Sequence, residues 1–346
     1  MRNGILVGGN WIIDRVKIID KYPEEESLAN IITEYSSNGG SAYNILKDLV
    51  KMHAPMPLEA VGLVGDDVLG DQIIKDCREQ GINTTYLHKT SLSNTSYTDV
   101  MSVQNTGKRT FFHHRGANAL LDTEHFNFGG SGCKIFHLGY LLLLDKLDKL
   151  LEDGRSVASF LLEDAVIQGF ITTVDLVSES DPQRFKKIIP PSLPFVDYLF
   201  INEYEAGMLS SSNLVDENGQ IIVSKCFDAA QQILDMGVRQ WVILHFPVGV
   251  IALSKESYRL YQPCIALPPE KIAGSVGAGD AFASGVLMGI HEEWDMRESL
   301  QLGVSVAASS LLAATCSDGV LPCNECLALA DKYGYREYDV VNTLSI

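Results

Sequence analysis

The residues whose types and spacing best suit chemistry lie in the stretch Lys271 to Ile290, KIAGSVGAGDAFASGVLMGI. Gly277, Ala278 and Gly279 precede a segment with apolar residues at helical spacing, so the pattern predicts a loop that leads into a helix. Backbone N–H groups that converge at a helix N-terminus attract an anion. Asp280 lies in the same first turn, where a carboxylate can take a proton from a hydroxyl group that attacks a phosphate. The residues alone also allow a simple N-cap and a tight turn.

A second glycine pair precedes a second predicted helix. The stretch NGGSAYN, residues 38–44, contains Gly39 and Gly40, and apolar residues at helical spacing follow it. Asn44 lies near the start of this helix, where its amide can face a ligand. Asp14 interrupts an apolar run after the first predicted strand, and a carboxylate in that position either binds a ligand or caps a turn.

Most of the chain alternates between predicted strands and predicted helices. Gly4 to Gly9, Ala60 to Val64 and Ile171 to Val177 are apolar runs typical of strands, and amphipathic segments such as Val68 to Gln80 separate them. This alternation predicts an α/β fold with a mainly parallel central sheet and helices on both faces, because parallel strands need crossover connections. Ligands of such sheets bind beyond the carboxyl ends of the strands. The positions predicted at that edge are Asp14, Gly39, Gly40, His137, Asp175, Asn202, Glu205 and residues 277–280.

Two segments depart from this alternation. Residues 12–37 contain residues typical of strands and no clear helix, so we expect extra strands outside the main core. The second segment, Thr95 to His113, resembles a hairpin around the turn sequence NTGK. It ends in His113, His114 and Arg115, which lack the i, i+4 histidine spacing of a metal site. We therefore expect a solvent-exposed edge there.

The composition narrows the class of protein. The chain has 346 residues and a net charge of -17, and its hydrophobic content is that of a globular protein. The charge argues against a nucleic-acid-binding surface, since phosphate contacts need clustered Lys and Arg. The sequence contains no apolar run of membrane-spanning length and no signal-peptide pattern. Seven scattered cysteines fit reduced thiols. We expect a cytoplasmic protein without nucleic-acid or membrane partners.

The ordered set of motifs resembles the ribokinase-like carbohydrate kinases of the PfkB family. The sequence GAGD of Gly277 to Asp280, followed by Ala281 and Phe282, matches the C-terminal signature of that family. Residues 38–44 match its N-terminal double-glycine region. Three further matches occur in the same order along the chain: Gly9 with Asp14, Gly116 with Ala117 and Asn118, and Asn202 with Glu205. The resemblance covers nearly the whole chain and implies a ribokinase-like three-layer fold.

The resemblance also implies an activity, which is ATP-dependent phosphorylation of a hydroxymethyl group on a sugar or related small alcohol. By resemblance, Asp280 is the general base, and residues 277–279 form the anion hole for the transferring phosphoryl group. Glu205 with Asn202 matches the motif that organises the phosphates and Mg²⁺, the metal being reached through water. The positions that match the acceptor-binding residues are Asp14, Gly39, Gly40 and Asn44.

A lid is the third implication of the resemblance. Residues 12–37 and 92–115 resemble the β-lid of the family, which closes over the substrate and often mediates homodimers, so residues 1–346 would form a single domain with a discontinuous lid. In one respect the chain departs from the family. Gly274 and Ser275 stand where the family commonly has Asp-Thr. The usual Asp helps to bind a monovalent cation, so that site is doubtful in this chain.

Alternative functions remain open at this point. Gly9 and Asn10, followed by Asp14, are reminiscent of adenosine-kinase-like members, which would make the protein a nucleoside kinase. A binding or regulatory protein could have kept the fold and lost turnover, although the intact GAGD argues against it. A dinucleotide-binding oxidoreductase lacks support, because no G-x-G-x-x-G follows the first strand. The sequence does not identify the acceptor.

Overall fold

The computed structural model describes residues 2–337; the remaining positions of the predicted single domain, residue 1 and residues 338–346, lie outside this part. The strands are β1 (Ile5–Gly9), β2 (Ile12–Ile19), β3 (Ile31–Gly39), β4 (Leu58–Gly65), β5 (Asn83–Thr90), β6 (Ser96–Val103), β7 (Arg109–His114), β8 (Ile135–Leu141), β9 (Ile171–Leu176), β10 (Tyr198–Asn202), β11 (Trp241–Phe246), β12 (Gly249–Ser254) and β13 (Arg259–Pro263). The α-helices are α1 (Ser41–Lys51), α2 (Val68–Glu79), α3 (Val157–Ile167), α4 (Pro182–Ile188), α5 (Glu203–Ser210), α6 (Val223–Asp235), α7 (Ala278–His291), α8 (Met296–Ser310) and α9 (Cys323–Tyr333).

The central sheet has nine strands in the order β13-β12-β11-β10-β9-β8-β1-β4-β5. The seven strands from β11 to β5 in that order pair in parallel. Strands β12 and β13 form an antiparallel edge, because short turns connect them to their neighbours. The predicted mainly parallel sheet is therefore confirmed.

Both faces of this sheet are covered by helices. Side chains alternate between the two faces along each strand. On strand β1, Leu6 faces one core while Ile5 and Val7 face the other, so each face must be covered. The first core includes side chains from α3 to α6, such as Phe185 and Phe227. The second core includes side chains from α1, α2 and α7 to α9. The result is the three-layer α/β arrangement that the alternation predicts.

A second sheet of four strands, in the order β3-β2-β6-β7, stands beside the central sheet. The predicted hairpin is confirmed, because β6 and β7 pair antiparallel with Tyr97 opposite His114. Strands β2 and β6 pair in parallel, which places Asp14 beside Thr98. This small sheet comes from the two segments in which the sequence lacks helical spacing.

Two glycines set the starts of the helices that border the site. Gly40 precedes α1 with φ of 81°, and a Cβ there would lie 2.4 Å from the carbonyl oxygen of Asn10. Gly277 precedes α7 with φ of 75°, a left-handed conformation that other residues adopt at a cost. Both helices therefore begin at the carboxyl edge of the central sheet, where the predicted polar residues lie.

Two expectations from composition concern the helices and the cysteines of the fold. Within residues 2–337, we find no helix that combines the length and the apolar character needed to cross a membrane. The seven cysteines are free thiols, and five of them are buried. Burial raises the pKa of thiols such as Cys226 and Cys326, so these side chains act as small apolar groups of the core.

Candidate active site

A cavity of about 660 Å³ lies between the carboxyl edge of the central sheet and the small sheet. Its wall includes nine of the ten predicted site residues: Asp14, Gly40, Asn44, Asn202, Glu205, Gly277, Ala278, Gly279 and Asp280. Gly39 lies behind the wall, where a Cβ would come within 2.5 Å of the carboxyl carbon of Asp14. Chain folding thus brings together residues from positions 14 to 280 of the sequence.

Asp280 lies in the first turn of α7, and its side chain is buried. Its Oδ2 accepts hydrogen bonds from Asn44 Nδ2 at 2.7 Å and from Tyr140 Oη at 2.8 Å. Burial raises the pKa of this carboxyl group to about 7, and the nearby charges of Asp175 and Asp14 act in the same direction. A carboxylate that changes protonation near neutral pH suits general-base catalysis.

The loop before Asp280 leaves a cradle of backbone amides at the helix N-terminus. Gly277 is the N-cap of α7, and no side chain caps this terminus. A Cβ on Gly277 would lie 2.8 Å from Cβ of Cys316, so the close packing of the loop requires glycine. The N–H groups of the first turn have no partner within the helix itself and carry the positive end of the helix dipole. The arrangement can bind an anion.

Asp14, on β2, provides a second carboxyl group in the cavity. Burial raises its pKa to about 7, while hydrogen bonds from Cys316 and Thr98 oppose this shift. The thiol of Cys316 lies 3.7 Å from Asp14 Oδ2 and beneath Gly277. One buried cysteine therefore contacts both the glycine loop and the candidate acceptor-binding carboxylate.

The side-chain amide of Asn44 is held in one orientation. Its Oδ1 accepts a hydrogen bond of 2.7 Å from Asn38 Nδ2, which also donates to Ser317 Oγ at 2.9 Å. Because the oxygen of Asn44 is engaged in this way, its Nδ2 is left to face Asp280. Asn44 is therefore a fixed hydrogen-bond donor to the candidate base.

Asn202 and Glu205 form a reciprocal cap at the start of α5. The Asn202 backbone N–H donates to Glu205 Oε2 at 3.0 Å, and Asn202 Nδ2 donates to Oε1 at 3.0 Å. Ser178 Oγ also donates to Oε1, at 3.0 Å. Burial raises the pKa of Glu205 to about 7. With three donors already on this carboxyl group, a metal is better reached through water than by direct ligation.

Tyr140 is a site residue that the sequence does not reveal. It lies near the end of the apolar strand β8 and directly before a run of leucines, so the local pattern indicates core. In the structure its backbone has φ of 58°, which places the side chain over the cavity. Its backbone N–H donates to Asp175 Oδ1 at 2.8 Å, and its hydroxyl donates to Asp280. Only the positions of these distant carboxylates identify it.

The expected solvent-exposed edge at the end of the hairpin is correct for His114 and wrong for His113. His114 is exposed, whereas His113 lines the cavity. The reason is the alternation of side chains along β7, which sends Arg109, Phe111 and His113 to one face. Arg115 instead bonds to Asp145 at 2.8 Å. The period of the strand, which is visible in the sequence, could have separated the two histidines.

Asn118, which belongs to one of the supporting motifs, does not face the cavity. Its side chain is buried, and its Oδ1 accepts a hydrogen bond of 3.1 Å from the Trp11 backbone N–H. Its Nδ2 donates to the Trp11 carbonyl oxygen at 3.2 Å. Asn118 therefore holds the chain between β1 and β2, the strand that carries Asp14.

The chain is similar to characterised kinases over most of its length. It is 22% identical over 294 residues to adenosine kinase 2 of Arabidopsis thaliana, covering 85% of this chain and 83% of that protein. It is 23% identical over 288 residues to a 5-dehydro-2-deoxygluconokinase of Clostridium perfringens, covering 81% of this chain and 80% of that protein. The fold matches that of Arabidopsis thaliana ribokinase complexed with ribose and ATP, with a TM-score of 0.76, 18% identity and coverage of 95% of this chain and 99% of that one.

A family model described as pfkB family carbohydrate kinase matches residues 4–322. The matched region includes the central sheet, the small sheet and the glycine loop with Asp280. Together with the similar kinases and the shared fold, this match settles the family predicted from the motifs. The chain belongs to the pfkB family of carbohydrate kinases.

Proposed function

We propose that this protein transfers the γ-phosphoryl group of ATP to a hydroxymethyl group of a sugar or sugar derivative, with Asp280 as the general base. One observation carries the proposal. The buried carboxyl group of Asp280 and the uncapped amides of residues 277–279 belong to the same turn of α7, so a base and an anion cradle face the same cavity.

The reaction follows from these positions. Asp14 orients the acceptor in the cavity, and the hydroxyl group of the acceptor lies against Asp280. Asp280 takes the hydroxyl proton as the oxygen bonds to the γ-phosphorus, and the bond from that phosphorus to the β,γ-bridging oxygen breaks, so that ADP leaves. The amides of residues 277–279 stabilise the charge on the equatorial phosphoryl oxygens. Burial excludes water, which would otherwise compete as the acceptor.

The residues of the site fit Mg²⁺ held mainly by phosphate oxygens and water. In the part of the chain that the structure describes, no group of three or more His, Cys, Asp or Glu side chains is arranged to hold a metal. Mg²⁺ commonly uses only one or two carboxylates together with substrate phosphates. Glu205 would orient its water, and the ion would neutralise charge on the phosphates. The ion would also reduce the repulsion between the phosphates of ATP and a protein with a net charge of -17.

The small sheet acts as a lid in this proposal. It contributes Asp14, Thr98 and His113 to the cavity, so closure of the sheet completes the acceptor site. Ile31, at 53% exposure, and Phe112, at 50%, are apolar side chains on this sheet that face solvent. Pairing of two chains through the sheet would cover them, and the homodimer stays a prediction that sedimentation at several protein concentrations would test.

A nucleoside kinase is the second candidate. Phe111, on β7, is 58% exposed although it lines the cavity together with Leu143. A flat heterocyclic base could stack on this ring and cover it. The similarity to adenosine kinase 2 supports the same acceptor class.

The test is acceptor-dependent ATP consumption by the purified protein. A thermal-shift panel of sugars, sugar acids, sugar phosphates and nucleosides selects ligands, because a ligand that binds the folded state raises the apparent stability. Each ligand is then assayed for ADP formation with MgATP. Turnover only with nucleosides would support the second candidate. Binding of ATP and an acceptor without turnover would refute both and indicate a regulatory protein.

A further inference from the structure

The imidazole of His113 has no role in the chemistry described above. It lies on the cavity wall, and within residues 2–337 its buried Nε2 has no hydrogen-bond partner. Its Nδ1 lies 3.0 Å from Thr98 Oγ1. A buried polar atom without a partner costs stability, so such an atom on a cavity wall points to a group on the ligand.

The hydrogen-bond chain through Thr98 determines what His113 offers to a ligand. Thr98 lies beside Asp14 in the parallel pairing of β2 and β6, and its hydroxyl forms a hydrogen bond with that carboxyl group. A hydroxyl has one hydrogen, and it points to the Asp14 carboxylate when that group is ionised, above its pKa of about 7. In that state Thr98 Oγ1 accepts from His113, so Nδ1 carries the proton and Nε2 keeps a lone pair that no group within residues 2–337 engages.

The charge of His113 follows from its surroundings. Burial lowers the pKa of His113 to about 4, and the nearby Arg115 acts in the same direction. The ring is thus neutral at physiological pH. The groups at this end of the cavity are a neutral hydrogen-bond acceptor and the carboxyl group of Asp14, and neither attracts an anion.

The cation on the same strand serves a different part of the cavity. Arg109 Nη2 lies 3.4 Å from Ser275 Oγ, at the glycine loop. Arg109 and His113 are four residues apart on β7, which corresponds to about 13 Å along a strand. The guanidinium is therefore directed to the end where the phosphates bind.

We propose that His113 determines acceptor specificity, with Nε2 accepting a hydrogen bond from a hydroxyl or N–H group of the acceptor that Asp14 also holds. This inference rests on the proposed function, because it concerns the acceptor of the same reaction. In this role His113 selects acceptors that are neutral polyhydroxy compounds. Acceptors that place a carboxylate or phosphate at this position meet a lone pair and an acidic side chain, and are rejected.

The experiment measures acceptor binding by calorimetry in the presence of a non-hydrolysable ATP analogue. D-ribose, D-fructose and adenosine are the neutral probes, and D-gluconate and fructose 6-phosphate are the anionic ones. The variants are His113→Leu, which removes the acceptor atom, and His113→Gln, which keeps a side-chain oxygen. His114→Leu is the matched control, since His114 lies on the opposite, exposed face of the same strand.

We expect at least one neutral probe to bind, and the anionic probes to bind at least about tenfold more weakly. His113→Leu should weaken binding of the neutral probe about tenfold or more, because a polar group of the bound probe is then left unpaired. His113→Gln should recover part of this loss, and His114→Leu should bind as the native protein does. The affinity for the ATP analogue should stay the same in all variants.

Three results would overturn the inference: unchanged binding by His113→Leu, tighter binding of an anionic probe, or no binding of any neutral probe. If His113→Leu does not fold, the same binding measurement on Thr98→Val tests the inference. This variant keeps the imidazole of His113 and removes the partner that fixes the tautomer of the ring. Binding of the neutral probe must therefore become weaker, or the inference fails. The proposed function fails separately, since a protein that binds a neutral probe through His113 without consuming ATP would not be a kinase.

Discussion

Replacement of Tyr140 by phenylalanine tests the electrostatics of the candidate base directly. The change removes one hydroxyl group, which donates to Asp280 Oδ2 at 2.8 Å, and keeps the ring that lines the cavity. The second donor, Asn44, remains in place at 2.7 Å. The hydroxyl stabilises the ionised form of the carboxyl group, so its loss must raise the pKa of Asp280.

The size of the effect follows from the burial of this hydrogen bond. Asp280 is only 3% exposed, so solvent screens the interaction little. A hydrogen bond to a charged group contributes about 1.5–3 kcal/mol, and one pKa unit corresponds to about 1.4 kcal/mol. The pKa should therefore rise by about one to two units above its native value of about 7. At pH 6.5 the ionised fraction, and with it the rate, should fall about tenfold per unit.

The assay is the pH dependence of kcat/KM for the acceptor, which reports ionisations of the free enzyme. The acidic limb of the profile should move to higher pH, while the rate on the alkaline plateau should stay within a fewfold of the native rate. Tyr204→Phe is the matched control. It removes a hydroxyl that donates to the Glu179 carbonyl oxygen at 3.0 Å, outside the hydrogen bonds of Asp280.

An acidic limb that stays in place, or moves to lower pH, would falsify this account of Asp280. A uniform loss of rate at every pH would also contradict it, because it would show that Tyr140 acts by shaping the cavity. A rise of the pKa without any change in rate would separate Asp280 from catalysis.

Four further predictions concern the same cavity. Asp280→Asn should lower kcat by about 10²–10⁴-fold and leave ATP affinity nearly unchanged in fluorescence titrations, because it removes a base and keeps the amides; retention of half the native kcat would refute the assignment. Gly277→Ala should reduce both stability and rate more than Gly279→Ala, since a Cβ at 277 would lie 2.8 Å from its nearest neighbour in a left-handed backbone, whereas one at 279 would lie 3.5 Å away; equal melting temperatures and rates would contradict this. Asp14→Ala should raise KM for the acceptor about tenfold or more and leave KM for ATP nearly unchanged, and equal effects on both would place Asp14 elsewhere. Activity should depend only weakly on K⁺, because Gly274 provides no carboxylate; saturable activation by KCl, measured against a bulky organic cation at constant ionic strength, would show that backbone carbonyls complete the site.

Local patterns determined much of the fold. The alternation of short apolar strands with amphipathic helices predicts the parallel sheet, since each crossover constrains the chain within a few tens of residues. The glycine loop before Asp280 predicts a helix N-terminus for a similar reason, because the conformation of Gly277 and the spacing of the apolar residues are local properties. The central sheet and the start of α7 could therefore be predicted without tertiary contacts.

Nine of the ten residues predicted for the site line one cavity, in part because the carboxyl ends of parallel strands meet at one edge. The hydrogen-bond and packing partners of those residues were not predicted from the sequence. Tyr140 lies in an apolar run, and its hydroxyl reaches Asp280 from 140 positions away in sequence. Cys316 lies beneath Gly277 and beside Asp14 for the same reason, since distant segments pack together in the folded chain.

Only the tertiary structure decided the ionisation of the site and which side chains line the cavity. The sequence shows carboxylates at positions 14 and 280, but their raised pKa values arise from burial between two sheets, and for Asp280 also from the nearby charges of Asp175 and Asp14. The sequence likewise shows His113 and His114 as neighbours on opposite faces of a strand, and the placement of that strand over the cavity decides that the face with His113 lines it. Burial and long-range charge depend on the whole fold, so short segments of sequence do not encode them.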